Sequence, residues 1–481
     1  MKLRDLLKDI PFTYTAVDLD IDIREVRYDS RAVQPGDLFV AVRGFATDGH
    51  AYIGMALKKG AVAVVCEQAG KGIPAVIVPD ARAALADIAG NRFDHPSRKL
   101  TMVGVTGTNG KTTTTTLIKH ILEAEGHKVG LIGTNQNMIG DEVIPTERTT
   151  PESYELQALF ARMAEAGCTH CVMEVSSHSL VLDRVRGVRF AVGAFTNLTQ
   201  DHLDFHKTME AYREAKAKLF TISDKGVINL DDPVADKMLA DAECPCLTFS
   251  ADKDAADLSA KNIELGASGV SFVAATRDAI ARVSLGIPGH FSVENALAAL
   301  GVCVALGVPL ENAARALGTA HGVKGRAEVV PTNTDYTVLI DYAHAPDGVS
   351  NILRTVRGFA KGRVIALFGC GGDRDRTKRP IMGHLAAELS DYCIVTSDNP
   401  RTEQPEAIIE DIVAGMKDAK VPVDVICDRR AAIYHALDIA QKDDVIVLMG
   451  KGHETYQEID HVKHHMDERE IVADYFKEKN V

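Results

Sequence analysis

Gly107-Thr108-Asn109-Gly110-Lys111-Thr112 has the residue types and spacing to hold phosphate. It follows the apolar run Leu100–Val105 and opens a helical stretch, Thr112–Glu125, with Leu117, Ile118, Ile121 and Leu122 on one face. Strand, glycine loop and helix in that order form the context a phosphate loop requires. Backbone N–H groups and the helix N-terminus favour anionic oxygens. In that reading Lys111 reaches the β- and γ-phosphates, and the Thr112 hydroxyl holds Mg²⁺. The match to G-x-x-x-x-G-K-[ST] is imperfect, because Val105 stands where the first glycine belongs. A glycine turn that binds nothing is the plain alternative. Kinases, switches, transporters and ligases all use such loops, so other residues must decide the reaction.

Glu174 ends the apolar strand Cys171–Val175, before Ser176-Ser177-His178. A carboxylate at a strand C-terminus beside the loop is well placed for Mg²⁺, or is a solvated strand-end acid. The segment Thr196–His206 then gathers Asp201, His202, Asp204 and His206. Mg²⁺ prefers oxygen, so histidine would be a minority ligand, and a polar loop is the competing reading. In the next helix Met209, Tyr212, Lys216, Leu219 and Phe220 share a face, with Lys216 the lone charge on it. Burial disfavours a lysine's charge, so an inward lysine needs a reason. One reason is an acidic partner, which physics alone prefers. The other is chemical: a neutral amine takes up CO₂ to form a carbamate, an anion that binds metal.

The elements that must position these residues alternate strand and helix. Up to about residue 98, Asp37–Val42, Ala61–Cys66 and Ala75–Val78 read as strands and Ala81–Phe93 as a helix, with His95-Pro96-Ser97 as a linker. Next come the phosphate loop, strands at Val129–Gly133 and Cys171–Val175, and a helix at Glu152–Ala166. This alternation predicts a largely parallel sheet with helices on both faces. Beyond Gly325 a second doubly wound unit is predicted. Its strands are Thr337–Ile340, Val364–Phe368, Cys393–Thr396, Val423–Ile426 and Val445–Met449, with ligands expected at their C-termini. The expected fold is therefore α/β in three domains: 1–98, 99–325 and 326–481.

The 481 residues suit roughly three domains, and 46% apolar with 25% charged residues is ordinary globular composition. A net charge of −13 argues against nonspecific nucleic-acid binding, while leaving room for a local basic pocket. No apolar run reaches membrane-spanning length, and the N-terminus does not read as a signal peptide. Nine scattered cysteines, lacking paired zinc spacing, read as free thiols in a reducing cytoplasm.

In this order, Gly107–Thr112, Glu174-Val175-Ser176-Ser177-His178, Thr196–His206, Glu214-Ala215-Lys216 and Asp341-Tyr342-Ala343-His344 resemble the Mur ligases of peptidoglycan synthesis. The resemblance covers essentially the whole chain. It implies a UDP-binding N-terminal domain, a central ATPase domain and a Rossmann-like C-terminal domain that binds the amino acid. It implies ATP and Mg²⁺, with catalysis by Lys111, Lys216 and His202. Gly107, Thr108, Asn109, Gly110, Lys111, Thr112 and Thr113 would hold ATP, with Asn295 near the adenine, Asp341 near the ribose and Arg326 facing the phosphates. Thr112 and Glu174 would hold one Mg²⁺, and a carbamylated Lys216 with His202 a second. Ser30, in Asp29-Ser30-Arg31, would meet the UDP moiety. Thr149, Thr150, Ser176 and Arg184 would meet the rest of the nucleotide substrate. Leu182 stands where some relatives have Gln, which puts one hydrogen bond in doubt.

Asp398-Asn399-Pro400-Arg401 alone reads as a strand-to-loop turn. In the resembling family this spot reads the incoming amine. Arg401 can grip a carboxylate, which meso-2,6-diaminopimelate carries at its far end and lysine lacks. Arg374 would take a second carboxylate. Glu454 would accept from the substrate ammonium, and Gly450 would leave room for the ligand. The implied partners are UDP-N-acetylmuramoyl-L-alanyl-D-glutamate and meso-2,6-diaminopimelate, joined in the cytoplasm through an acyl phosphate, with no nucleic acid or membrane and a monomer as the default. Competing readings are a lysine-adding homologue, a folylpolyglutamate synthetase-like ligase, and a nucleotide switch without ligation. His202, His206 and His344 are the candidate bases for the amine.

Overall fold

The computed structural model describes residues 1–15, 17–44, 47–146, 148–320 and 322–479, with the side chains of Thr15 and Asp204 outside the described set. The chain divides into two compact units. One is residues 1–248 with 301–308, and the other residues 249–300 with 309–481.

The first unit opens on a five-stranded sheet ordered Thr13–Thr15, Ala75–Ile77, Ala63–Cys66, Leu38–Val40, Val26–Arg27. All neighbours are parallel except the first pair. The parallel strands Ala63–Cys66 and Leu38–Val40 are buried throughout, the pattern of strands covered on both faces. Leu3, Leu6 and Leu85 pack with Val40, Val65 and Val76 in the core. Asp80 caps the helix Ala81–Arg92 by accepting the N–H groups of Arg82 and Ala83. The expected linker at 95–97 is instead the start of a short helical turn, Pro96–Lys99, with Pro96 and Ser97 buried.

A second sheet of this unit runs Gly226–Asn229, Val192–Phe195, Thr101–Thr106, His170–Glu174, Val129–Ile132, all parallel. The antiparallel strands Asn137–Ile139 and Glu142–Ile144 extend its edge. The helices Lys111–Ala124 and Ser153–Glu165 lie within two residues of the predicted ends.

The second unit contains an antiparallel meander, Leu258–Gly266, Gly269–Thr276 and Ile280–Leu285. Its alternating burial escaped prediction as strand–helix alternation. The unit also holds a six-stranded sheet ordered Glu328–Val330, Thr337–Asp341, Val445–Met449, Val364–Phe368, Tyr392–Val395, Val423–Val425, parallel except for the first strand. The expected α/β architecture is thus present in three successive parallel sheets. All nine cysteines are free. Among the described residues no helix is long and apolar enough to cross a membrane.

Candidate active site

Thr101–Thr106 lies between two parallel neighbours, with Val105 opposite Glu174 and Thr106 opposite Phe195. The glycine loop, Glu174 and the segment after Phe195 therefore leave the sheet at one edge. Gly107 has φ +151°, and a Cβ there would stand 1.9 Å from Thr196 Oγ1, so only glycine fits. Asn197 braces the loop: its carbonyl accepts the Thr108 N–H at 2.8 Å and its side chain the Asn109 N–H at 2.9 Å. Thr196 Oγ1 donates to Asn109 O at 2.6 Å, and Thr108 Oγ1 to Thr199 O at 3.2 Å. Gly110, φ +83°, stands at the N-cap of the helix, and Gly110 O accepts the Thr114 N–H at 2.9 Å. The N–H groups of Thr112 and Thr113 precede that bond and have no intrahelical acceptor, the state in which helix N-termini bind anions.

Two lysines converge on this loop. Lys111 Nζ donates to Gly107 O and Thr108 O, each at 2.9 Å. Lys216 Nζ donates to the same Gly107 O at 2.8 Å. Lys216 is 1% exposed and, among the described residues, makes no ion pair, and Asp201 acts on it only as a weaker, more distant charge. Burial first, and the Lys111 charge second, push its ammonium well below its ordinary value. Its Nζ lies 4.4 Å from the centre of the Tyr212 ring. Tyr212, one helical turn earlier, also stacks on His206 at 4.9 Å and meets the His202 ring edge-on at 6.1 Å. Its hydroxyl lies 3.3 Å from Thr108 Oγ1. Tyr212 thus joins the loop, Lys216 and the histidines. The sequence placed it only on an apolar face, although its i−4 spacing from Lys216 was visible.

Glu174 is 1% exposed. Its carboxylate accepts the Thr134 N–H at 2.8 Å and the Thr134 hydroxyl at 2.9 Å. The hydroxyls of Thr134 and Thr149 are 3.0 Å apart, and Thr150 Oγ1 donates to Glu174 O at 2.8 Å. Thr150 Oγ1 also accepts the Ser176 N–H at 3.1 Å, and Thr150 O accepts from Arg184 Nη1 at 3.1 Å. Thr149, Thr150, Ser176 and Arg184 therefore gather at the end of Glu174's strand. His202 has φ +53° and holds Nε2 3.4 Å from Asp201 Oδ2. His206 Nε2 is 2.8 Å from Ser177 Oγ. Ser30 is buried in a loop of the other sheet, and two residues before it the Tyr28 hydroxyl donates to Glu155 Oε1 at 2.8 Å, on the helix that follows Thr149 and Thr150. Glu174 and Thr112 offer the hard oxygens that suit Mg²⁺. No group of three His, Cys, Asp or Glu is arranged for a metal among the described residues.

In the second unit Asp341 ends its strand opposite Met449. Its carboxylate accepts the N–H groups of Ala327 at 2.7 Å and Ala343 at 2.9 Å. Burial pushes its pKa up against the opposing pull of Arg326. Arg326 lies 5.1 Å over the Tyr342 ring, and its buried Nε has no hydrogen-bond partner among the described residues. Asn295 is buried on the helix His290–Ala305.

The predicted amine loops do come together. Asn399 Oδ1 accepts from Lys451 Nζ at 2.7 Å and from the Glu458 N–H at 2.9 Å, while Asn399 Nδ2 donates to Glu454 Oε2 at 2.9 Å. Lys451, fully buried, also donates to Glu454 Oε2 at 3.1 Å. One oxygen of Glu454 is therefore occupied within the protein. Gly450 has φ +111°, and a Cβ there would meet Asp398 Oδ2 at 2.5 Å. The space that this glycine was expected to leave for a ligand holds the Asp398 carboxylate. Arg401 donates through Nη1 to Gly372 O at 2.7 Å and through Nε to Glu458 at 3.2 Å. Nη2 is the part of its guanidinium with no hydrogen-bond partner among the described residues. Arg374 is exposed.

The buried arginines that hold these loops were not read from the sequence. Arg379 donates to both oxygens of Glu403 at 2.8 and 3.0 Å and to Asp411 at 2.9 Å. That bond holds the Glu403 carboxyl at about 2, and Glu403 in turn accepts the Asp373 N–H at 2.6 Å. Gly372 N–H donates to Asn399 O at 2.9 Å, so the 371–376 and 398–403 segments are tied together.

Profiles of three families match the chain: "Mur ligase family, catalytic domain" over residues 22–93, "Mur ligase middle domain" over 105–303, and "Mur ligase, glutamate ligase domain" over 325–452. A UDP-N-acetylmuramoyl-L-alanyl-D-glutamate–2,6-diaminopimelate ligase of Caldanaerobacter subterraneus subsp. tengcongensis is 50% identical over 482 residues, covering 99% of each chain. Its counterpart numbered 1 in Clostridium acetobutylicum is 47% identical, covering 99% of this chain and 100% of its own. A solved structure of a UDP-N-acetylmuramoyl-L-alanyl-D-glutamate–2,6-diaminopimelate ligase matches with TM-score 0.74 at 31% identity, covering 100% of this chain and 99% of its own. The MurF ligase of Thermotoga maritima in complex with ADP shares the fold, with TM-score 0.64 at 21% identity over 96% of this chain and 100% of its own.

Proposed function

Because the chain belongs to the Mur ligase family, we propose that it joins meso-2,6-diaminopimelate to the D-glutamate of UDP-N-acetylmuramoyl-L-alanyl-D-glutamate, using ATP. It is an ATP-dependent amide ligase of peptidoglycan precursor synthesis. The γ-phosphoryl of ATP converts the D-glutamate γ-carboxylate into an acyl phosphate. The amine then attacks the carbonyl carbon, and the C–O bond to phosphate breaks to leave an amide and inorganic phosphate. Acyl phosphate formation is needed because a carboxylate oxygen is a poor leaving group.

The observation that carries this reading is Lys216. It is buried beside the phosphate loop, shares Gly107 O with Lys111, and makes no ion pair among the described residues. A switch that binds phosphate has no use for such a lysine. A ligase that gathers ATP and a carboxylate does, once its neutral amine forms an N–C bond to CO₂ and loses a proton to become a carbamate. Mg²⁺, when bound, would neutralise phosphate charge, one ion drawing ligands from Thr112 and Glu174 and a second from that carbamate with His202. The braced loop would seat the phosphates, and Lys111 would swing from its own carbonyls to them. Arg326, whose buried Nε has no hydrogen-bond partner among the described residues, suits a phosphate. Asp341 and Asn295 would serve the ribose and adenine.

Residues 1–98 would hold the UDP moiety through Ser30. Residues 99–325 would hold ATP and, through Thr149, Thr150, Ser176 and Arg184, the peptide end of the nucleotide. Residues 326–481 would bind the amino acid through Arg374, Asp398–Arg401 and Glu454. Arg401 favours diaminopimelate over lysine, because the Nη2 of its half-buried guanidinium gains a charge-assisted bond from the far carboxylate that lysine cannot supply. The net charge of −13 disfavours nonspecific nucleic-acid binding.

The test is phosphate release from ATP with the muramoyl dipeptide nucleotide while amines are scanned. Release should require the nucleotide and prefer diaminopimelate. A preference for lysine would assign the lysine-adding reaction, and turnover independent of any amine would sink the ligase reading.

A further inference from the structure

The two loops assigned to the amine leave the sheet at the ends of two strands that are not neighbours, Tyr392–Val395 and Val445–Met449. Val364–Phe368 separates them, so no ladder hydrogen bond sets their relative position. Arg429 does. It is the first residue of the helix Arg429–Ile439 and is 2% exposed. Its Nη2 donates to Met449 O at 2.8 Å, directly before Gly450, and its Nη1 to Ser397 O at 3.3 Å, directly before Asp398. Its Nε donates to Glu468 Oε1 at 2.9 Å. Glu468 opens the helix Glu468–Lys479, and neither side chain of the pair is exposed.

We propose that Arg429, held by Glu468, is the positioning residue that sets Asp398–Arg401 against Gly450–Glu454, and so tunes affinity for the amino acid without touching it. The guanidinium is suited to this because its planar fork presents fixed donors in several directions, which an ammonium cannot do. A buried ion pair is weak evidence for stability, since apolar residues of like volume replace such pairs with little loss. Retention of a fully buried pair on two strand-end carbonyls therefore points to geometry. The next residue extends the arrangement: Arg469 Nη2 donates to Gly452 O at 2.9 Å. The first turn of the C-terminal helix thus grips the 450–454 loop directly and through Arg429.

The inference rests on the reading that these loops bind the amine, so the experiment tests both. R429K and the double variant R429M/E468M are compared with R401A, each in the full chain, by steady-state phosphate release and thermal melting. R401A should raise KM for diaminopimelate; if it does not, the site reading fails. The double variant removes the clamp without stranding a charge. It should melt near the unaltered chain and raise KM for diaminopimelate about tenfold, as expected of a small misplacement of a binding group. KM for the muramoyl nucleotide should stay within about twofold. R429K, which keeps the charge but not the fork, should raise KM for diaminopimelate similarly. If R401A raises that KM and neither clamp variant does, or if the KM values for amine and nucleotide rise together, the positioning role is overturned. Should the double variant not fold, R429K decides by the same criterion.

Discussion

Replacing Arg401 by Ala tests which amine is added, and the structure sets the size of the effect. A guanidinium facing a carboxylate with two free donors would grip it with two charge-assisted hydrogen bonds. Arg401 is not in that state, because Nε is bound to Glu458 and Nη1 to Gly372 O. One nitrogen, Nη2, is open to a ligand. One charge-assisted bond contributes about 1.5–3 kcal/mol. At about 1.4 kcal/mol per tenfold, R401A should lower kcat/KM for diaminopimelate roughly tenfold to a hundredfold, mostly through KM. The side chain is 19% exposed, so solvent screening discounts this little. The loss also strands the Glu458 carboxylate, and a second chain, R401A/E458Q, removes that complication. The assay is phosphate release at saturating ATP and nucleotide, with diaminopimelate or lysine as the varied amine. Lysine has no far carboxylate, so its small kcat/KM should change less than about threefold. A diaminopimelate loss below about threefold, or equal losses for both amines, would refute the assignment of Arg401 as the reader of the far carboxylate.

Three further outcomes follow from the same geometry. K216A should abolish ligation, and short-chain carboxylic acids should partly restore it by occupying the place of the carbamate; undiminished activity without them would remove the carbamate role. G107A adds a Cβ at φ +151° against Thr196 Oγ1, 1.9 Å away, and about 1–3 kcal/mol of backbone strain. It should weaken ATP binding at least about tenfold by calorimetry while the chain still folds. His453 is held at about 4, below its ordinary 6.5, by burial first and the Arg326 charge next. Between those values the unfolded chain binds the extra proton, so stability should fall as pH drops from about 6.5 towards 4. H453Q should flatten that stretch of the melting-temperature profile, and an unchanged slope would dismiss His453 as its source.

Much of the scaffold was legible because it is local. Val364–Phe368 and Val445–Met449 were placed to the residue, since buried parallel strands are continuous apolar runs bounded by turn residues. The phosphate loop was legible because strand, glycines and Lys-Thr adjoin in the chain. The meander 258–285 carries the period-2 alternation that marks half-buried strands, and the strand–helix reading passed over that signal. The stretch 95–97 read as a linker from Pro and Ser alone, and tertiary packing buried it.

The site divides along the same line. The sequence by itself determined which residues can do chemistry: Lys111 and Thr112 on a glycine loop, Glu174 at a strand end, and Lys216 as a lone charge on an apolar face. It left open whether Lys216 has an acidic partner, because that depends on groups brought near by folding. Tertiary structure alone placed its Nζ on Gly107 O, more than a hundred residues away in the chain. It also decided that Asp398 fills the space above Gly450, that Arg401 already serves Glu458, and that Arg379 and Arg429 hold the loops. Periodicity encodes which face a residue takes, but a buried ion pair between distant residues exists only once packing has removed the water that would otherwise solvate each charge.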